Sequence, residues 1–275
     1  MKKTVFITGS ANGIGKHFSE VFYNQGFNVV ATDFSMEKLI AQTSNWNPEN
    51  CLIEQLNVTN IENWQKVVHK TIEKFNKIDI LLNVAGVITP GFVEDFALED
   101  IDYHIDINVK GVMYGTKIVA DEMLKVGEGH IINFASLAGV APIHGISLYS
   151  ASKYAVRGFS LAITPELRAK GIQVSVICPD LVNTNMLTSQ LDYKAAALTF
   201  SGNKVLTVKD IEKAILVNAL QKNQAEILVP LSRGLTAKLG NLFPAIGFWL
   251  TEGLSKKGLK QQAMYKKTDY PPNSI

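Results

Sequence analysis

Three side chains in one stretch could together move a proton at an oxygen. The stretch runs from Ser136 to Lys153 and contains Tyr149. Tyr149 and Lys153 are four apart, so on a helix they share a face, one turn from each other. An ammonium beside a phenol favours the phenolate and lowers a pKa that is about 10 when unperturbed. A phenol tuned toward neutrality can give or take a proton at an alcohol or carbonyl oxygen. Taken alone, the spacing also fits a tyrosine packing its ring beside a solvated lysine, so the residues around it have to decide.

The elements that would hold these residues alternate along the chain. A β-branched and aromatic run at 4–8 leads into Gly9-Ser-Ala-Asn12-Gly13-Ile14-Gly15, a helical pattern to about residue 25, and a second strand at 28–32 that ends on Asp33. Glycines allow close backbone approach, and a helix N-terminus offers free N–H groups and a positive dipole to a pyrophosphate. A carboxylate at the end of the second strand can accept hydrogen bonds from ribose hydroxyls. The unit therefore predicts dinucleotide binding. Further strands are expected at 52–56, 78–82, 130–135, 172–178 and 226–229, with helices at 61–75, 100–125, 149–170 and 208–220. This alternation implies a doubly wound α/β fold of the Rossmann type, a parallel sheet with helices on both faces and a ligand crevice at the strands' C-terminal ends. Asn57 with Val58, Asn83-Val84-Ala85-Gly86, Asn133–Ser136 and the stretch from Pro179 through Val182 to Thr184 all fall at such strand exits.

The bulk numbers exclude several classes. With 275 residues, 47% apolar and 19% charged, the chain can bury a large core as one domain. A formal net charge of +2 gives no reason to expect nucleic acid. Cys51 and Cys178 lie in strand-like runs and are expected as buried thiols, consistent with a reducing, cytoplasmic compartment. No signal peptide is expected at the start, because the first apolar run stops at Ile7 and glycines follow.

The motifs Thr8-Gly9-x-x-x-Gly13-x-Gly15, Asn83-x-Ala85-Gly86, Asn108, Ser136, Tyr149-x-x-x-Lys153 and Pro179-x-x-Val182-x-Thr184 stand in the order and spacing of one family. The chain resembles the short-chain dehydrogenase/reductases over roughly residues 3–229. The resemblance implies seven parallel strands in the order 3-2-1-4-5-6-7, no metal, and a homodimer or homotetramer paired through helices near 111–125 and 149–170. It makes Tyr149 the general acid/base and has Ser136 bind the substrate oxygen. Lys153 would bind the nicotinamide ribose and, with the cationic nicotinamide, lower the tyrosine pKa, and Asn108 would hold a water in a proton relay. For Asn108 a buried amide bonding backbone in a kinked helix is the alternative, and the two roles are compatible. Asp33 points to NAD, since a carboxylate there repels the 2′-phosphate of NADP. The expected activity is interconversion of a secondary alcohol and a ketone. An NADPH-dependent carbonyl reductase and a cofactor-bound regulatory protein without turnover are the alternatives.

Three residues depart from the family pattern: Asn57 replaces aspartate, Val84 replaces asparagine and Asp180 replaces glycine. Asn57 is expected to accept, more weakly, a bond from the adenine amino group. The pocket walls read as apolar: Val87, Ile88 and Phe92, then Leu137, Val140, Pro142 and Ile143, then Leu181, Met186, Leu187 and Leu191. With no arginine placed to grip an anion, a steroid-, retinoid- or lipid-like substrate is expected. His144 is expected at the rim. Residues 1–230 would form the catalytic domain and 231–275 a hydrophobic helical extension. That extension either covers the pocket or a partner subunit, or rests on a membrane surface.

Overall fold

A computed structural model describes residues 2–267. Its seven-stranded sheet has the order β3-β2-β1-β4-β5-β6-β7. The strands are β1 (Thr4–Thr8), β2 (Asn28–Asp33), β3 (Cys51–Gln55), β4 (Ile80–Asn83), β5 (Gly129–Phe134), β6 (Ile172–Pro179) and β7 (Glu226–Val229). Every pairing is parallel. All five residues of β1 are buried, as expected for a central strand covered on both faces.

Alternate residues of β1 feed two cores. Val5 and Ile7 pack with Phe18 and Phe22 of helix α1 (Gly13–Asn24). Phe6 faces the other way, onto Trp64, Val67 and Val68 of α3 (Ile61–Phe75), and its ring stacks on Trp64 at 5.5 Å. The α3 apolar residues recur at helical spacing. Asn60 caps its start by accepting the Asn63 N–H, and Asn76, at φ 68°, ends it.

The long helical stretch expected at 100–125 is three pieces: α4 (Leu98–His104), a π-helical turn over Ile105–Lys110, and α5 (Gly111–Val126). The expected helix at 208–220 likewise divides into α8 (Val208–Lys213) and a π turn over Ala214–Ala219. Among the elements that the periodicity did not indicate are α2 (Met36–Thr43) and a 3₁₀ segment over Lys194–Ser201. Helix α6 (Ser147–Arg168) carries Tyr149 and Lys153, and the short α7 (Asn185–Thr188) follows the β6 exit. Both cysteines are free and buried, as expected.

The extension folds as α9 (Leu231–Leu242) and α10 (Pro244–Lys267). Helix α10 lies directly on the Lys194–Ser201 segment. A Cβ on Gly258 would sit 1.8 Å from the Ala197 carbonyl oxygen, so only glycine permits this approach. The Gln262 amide fastens the same contact by donating to the carbonyls of Gln190 and Tyr193, both at 2.9 Å.

Candidate active site

The glycine loop is folded tightly enough for only glycine to serve at its pivots. Gly9 has φ +71°, and a Cβ on Gly15 would meet the Gly9 carbonyl oxygen at 2.1 Å. Gly13 faces Thr184, whose methyl group lies 3.1 Å from the Gly13 Cβ position, so the loop meets the β6 exit across the crevice. Asn12 accepts a hydrogen bond from the Asn185 amide at 3.1 Å and joins the same two segments. Asp33 turns toward this loop. One carboxylate oxygen accepts the Ala11 N–H and the other the Ser35 N–H, each at 2.9 Å. Each oxygen retains a lone pair for a further donor.

On the next strand exits the side chains divide between support and site. The Thr8 hydroxyl accepts the N–H groups of Val84 and Ala85, so Val84 satisfies its backbone without the asparagine found elsewhere. The Asn83 side chain, expected at the cofactor, is instead buried. It donates to Asn133 at 2.9 Å and Thr116 at 3.2 Å, so it braces β4 against β5 and α5. The Asn57 oxygen already accepts the Thr59 N–H and hydroxyl, which uses the lone pairs expected to serve an adenine amino group. Val58 packs its side chain against Gly111, and its carbonyl accepts the Trp64 indole N–H.

Gly86 is where the relay residues meet. A Cβ there would lie 3.2 Å from Asn108 Oδ1 and 3.4 Å from Lys153 Nζ. Asn108 sits in the π turn, fully buried, where it accepts the Val87 N–H at 2.7 Å and donates to the Val87 carbonyl and to Ser152. It is the buried, backbone-bonding amide of a kinked helix, within reach of the lysine.

Lys153 is buried and donates to the Phe134 carbonyl at 2.9 Å; its Nζ lies 5.5 Å from the Tyr149 ring centroid. Burial pulls its pKa down to about 8. Burial also pushes the Tyr149 phenol up to about 12, against a hydrogen bond with Ser136 that draws it down. In the polypeptide alone, desolvation therefore outweighs the Ser136 hydrogen bond at the phenol. Ser136, two residues beyond β5, accepts the Ala138 N–H and donates to the Pro179 carbonyl, so capping and site placement coincide.

These groups line a cavity of about 380 Å³. Ile14, Gly86, Ser136, Tyr149, Lys153, Pro179, Val182 and Thr184 are all in its wall. Of the apolar residues expected there, Ile88, Leu137, Pro142, Ile143, Leu181, Met186 and Leu187 line it. Val140 instead belongs to the core. Phe92 stacks on His144 at 6.5 Å, away from the lining, and His144 reaches Ser255 of α10 at 3.3 Å.

The extension covers the cavity, one of the placements expected of it, with Thr236 and Ala237 of α9 and Phe248, Leu250 and Leu254 of α10 in the wall. Arg233 is a lining residue that the sequence reading missed, and its guanidinium is committed, 2.5 Å from Asp180 and 3.1 Å from the Ser201 hydroxyl. Asp180 carried the missing signal: a carboxylate in an otherwise apolar strand exit requires a cation from elsewhere.

A glycine loop, a carboxylate at the β2 end and a Ser–Tyr–Lys set at the sheet's C-terminal edge define a dinucleotide-dependent α/β oxidoreductase site. Residues 3–195 match the short chain dehydrogenase family, and the chain belongs to it. An uncharacterised oxidoreductase of Staphylococcus saprophyticus is 34% identical over 229 residues, 82% of this chain and 94% of that one. A 3-oxoacyl-[acyl-carrier-protein] reductase of Thermotoga maritima is 34% identical over 72% of this chain and 81% of its own. Among solved structures, the NADP-bound ElxO has a TM-score of 0.74 at 28% identity, covering 83% of this chain and 96% of its own. An NAD-bound short chain dehydrogenase/reductase of Burkholderia phymatum reaches 0.78 at 24% identity, covering 90% and 95%, and shares the fold.

Proposed function

We propose that this chain is an NAD-dependent oxidoreductase that interconverts a secondary alcohol and a ketone on an apolar, steroid-, retinoid- or lipid-like body. The observation that carries this reading is the meeting of Ser136, Tyr149 and Lys153 in the wall of a cavity otherwise lined mostly by apolar side chains. The residues fit a dinucleotide. The loop from Gly9 to Gly15 opens at the α1 N-terminus, and Asp33 keeps lone pairs for ribose hydroxyls. Bound there, NAD would accept or deliver the hydride, and its oxidised ring would add positive charge beside the phenol.

The chain's own residues handle the oxygen and the proton. Ser136 orients the substrate oxygen, and Tyr149 takes or gives its proton. Lys153, which titrates near 8, stays mostly protonated at neutral pH and attracts the phenolate. Asn108, at the same glycine as the lysine amine, holds the water that carries the proton onward. Gly9, Gly13, Ile14, Gly15, Val58, Ala85, Gly86, Pro179, Val182 and Thr184 provide backbone and wall to the cofactor. Asn12, Asn57 and Asn83 contribute by fixing the loops around it.

NADPH-dependent carbonyl reduction is the second reading, favoured by the NADP-bound ElxO. Against it, the Asp33 carboxylate faces the glycine loop, where a 2′-phosphate would meet a negative charge. Residues 1–230 and the extension act as one unit in this reading. A homodimer or tetramer through α5 and α6 fits the exposed Leu124 and Val126 on α5, and the free thiols fit the cytoplasm.

The test is Tyr149→Phe, assayed by NADH absorbance over a panel of apolar secondary alcohols. Hydride transfer should fall by about 10²–10⁴ while NAD binding stays within a few-fold. A variant that keeps its rate, or a native chain that reduces NAD with none of the panel, would overturn the reading.

A further inference from the structure

The elbow between α9 and α10 carries no charged residue between Lys238 and Glu252, and it is turned outward. Leu242 is 68% exposed, Phe248 71% and Trp249 81%, with Phe243 and Ile246 more than half exposed beside them. Scattered apolar side chains are ordinary on a surface, but a contiguous aromatic and aliphatic tip marks a contact. Its charge setting narrows the partner. Helices α9 and α10 carry seven lysines and arginines against one glutamate; with Asp180, Glu226 and Asp192, which pair with Arg233, Lys238 and Lys266, the balance is +3, in a chain whose formal total is +2.

We propose that this elbow docks on an anionic lipid surface, with the tip at the level of the headgroups and the flanking lysines on lipid phosphates. Tryptophan and phenylalanine favour that boundary, and cations are attracted to an anionic leaflet. No helix among the described residues is long and apolar enough to cross a membrane, so the elbow rests on the surface. A second copy of the chain is the poorer occupant, because a symmetric contact would set this positive pair of helices against itself. The docked face also adjoins the cavity. Phe248, Leu250 and Leu254 are exposed and line it at once, so an apolar substrate can pass from lipid to site without crossing water. That last step rests on the proposed apolar substrate; the docking itself does not.

The experiment is co-sedimentation of the full chain, without cofactor or substrate, with phosphatidylcholine vesicles and with phosphatidylcholine–phosphatidylglycerol vesicles. The chain should pellet with the anionic vesicles and release in high salt. Leu242→Ser/Phe243→Ser/Trp249→Ser, which leaves the cavity lining intact, should lower partitioning at least about tenfold. Fluorescence tests the unsubstituted chain. Trp64 is buried in the core and Trp46 is stacked on Tyr23, so a blue shift on adding vesicles reports Trp249, and Trp249→Phe should remove it. The proposal is overturned if the chain stays in the supernatant, if the triple variant pellets equally, or if Trp249 emission does not move. It is equally overturned if the triple substitution instead splits an oligomer in lipid-free buffer, which would make the elbow a contact between copies. Because nothing here is read through turnover, loss of the oxidoreductase reading would leave these outcomes unchanged.

Discussion

Replacing Arg233 by methionine breaks an ion pair that ties the extension to the Asp180 strand exit. The Asp180 side chain is 11% exposed and its partner Arg233 33%, with Nε 2.5 Å from the carboxylate. Burial holds the Asp180 carboxyl above its ordinary value, and the arginine's charge opposes that rise. Methionine keeps the aliphatic stem and removes the charge together with the hydrogen bond to Ser201, leaving a desolvated carboxylate without its cation. Breaking a fully buried pair from one side costs about 3–5 kcal/mol. Because a third of the arginine is in solvent, screening brings the expectation down to about 2 kcal/mol. In a chain of this size that is a loss of about 4–8 °C in Tm.

The sign of the pH dependence separates this account from simple loss of packing. A carboxyl whose folded pKa lies above its unfolded value, 3.8 here, costs stability when ionised. The cost is greatest at high pH and disappears as pH falls and the folded chain takes up the proton first. Arg233→Met should therefore be most damaging near pH 8 and approach the native Tm as pH falls toward about 4. Asp180→Asn/Arg233→Met should recover most of the loss at pH 8. Thermal melts of the three chains across that range are the assay. A Tm loss that does not change with pH, or a double variant no better than the single one, would refute the reasoning.

Two further outcomes follow from the site. Asp33→Ala removes a charged acceptor, a change worth about 1.5–3 kcal/mol, so NAD should bind about 10–100-fold more weakly while NADP is not penalised. Fluorescence titration with both cofactors checks this, and an unchanged NAD affinity would refute it. Lys153 titrates at about 8 folded against 10.5 unfolded. Its buried ammonium therefore costs stability below pH 8, and stability relative to Lys153→Met should rise by up to about 3 kcal/mol between those values. Parallel stability–pH curves for the two chains would rule that out.

What the sequence revealed, and what it hid, follows the range of the interactions. The helix at 61–75 has the bounds read from its pattern, because its buried face and its Asn60 cap are encoded within fifteen residues. Asp33 and the glycine loop were legible for the same reason: strand, turn, helix and strand are contiguous. The π turn at Asn108 was not, since a π turn and an α-helix draw on the same residue types. Only the bonds from Asn108 to Val87, twenty-one residues away, show where the helix must widen. Met36–Thr43 escaped because it buries little besides Leu39 and Thr43. Asn83 and Asn57 were placed at the cofactor by motif position, yet their side chains answer to Asn133 and Thr59.

The same distinction separates chemistry from specificity in this molecule. Ser136, Tyr149 and Lys153 need only β5 and α6, neighbours in sequence and space, and in the proposed reaction they act on the substrate oxygen. The shape of the space above them needs α9 and α10 brought back across the sheet edge. Asp180–Arg233, Gln262 and the bare backbone of Gly258 hold those helices down. None of these contacts has a local pattern, so the sequence could name seven apolar wall residues near the strand exits but not the contacts that set the extension above them. In this chain the departure at Asp180 and the arginine that answers it couple the two, joining the edge of the catalytic centre to the roof.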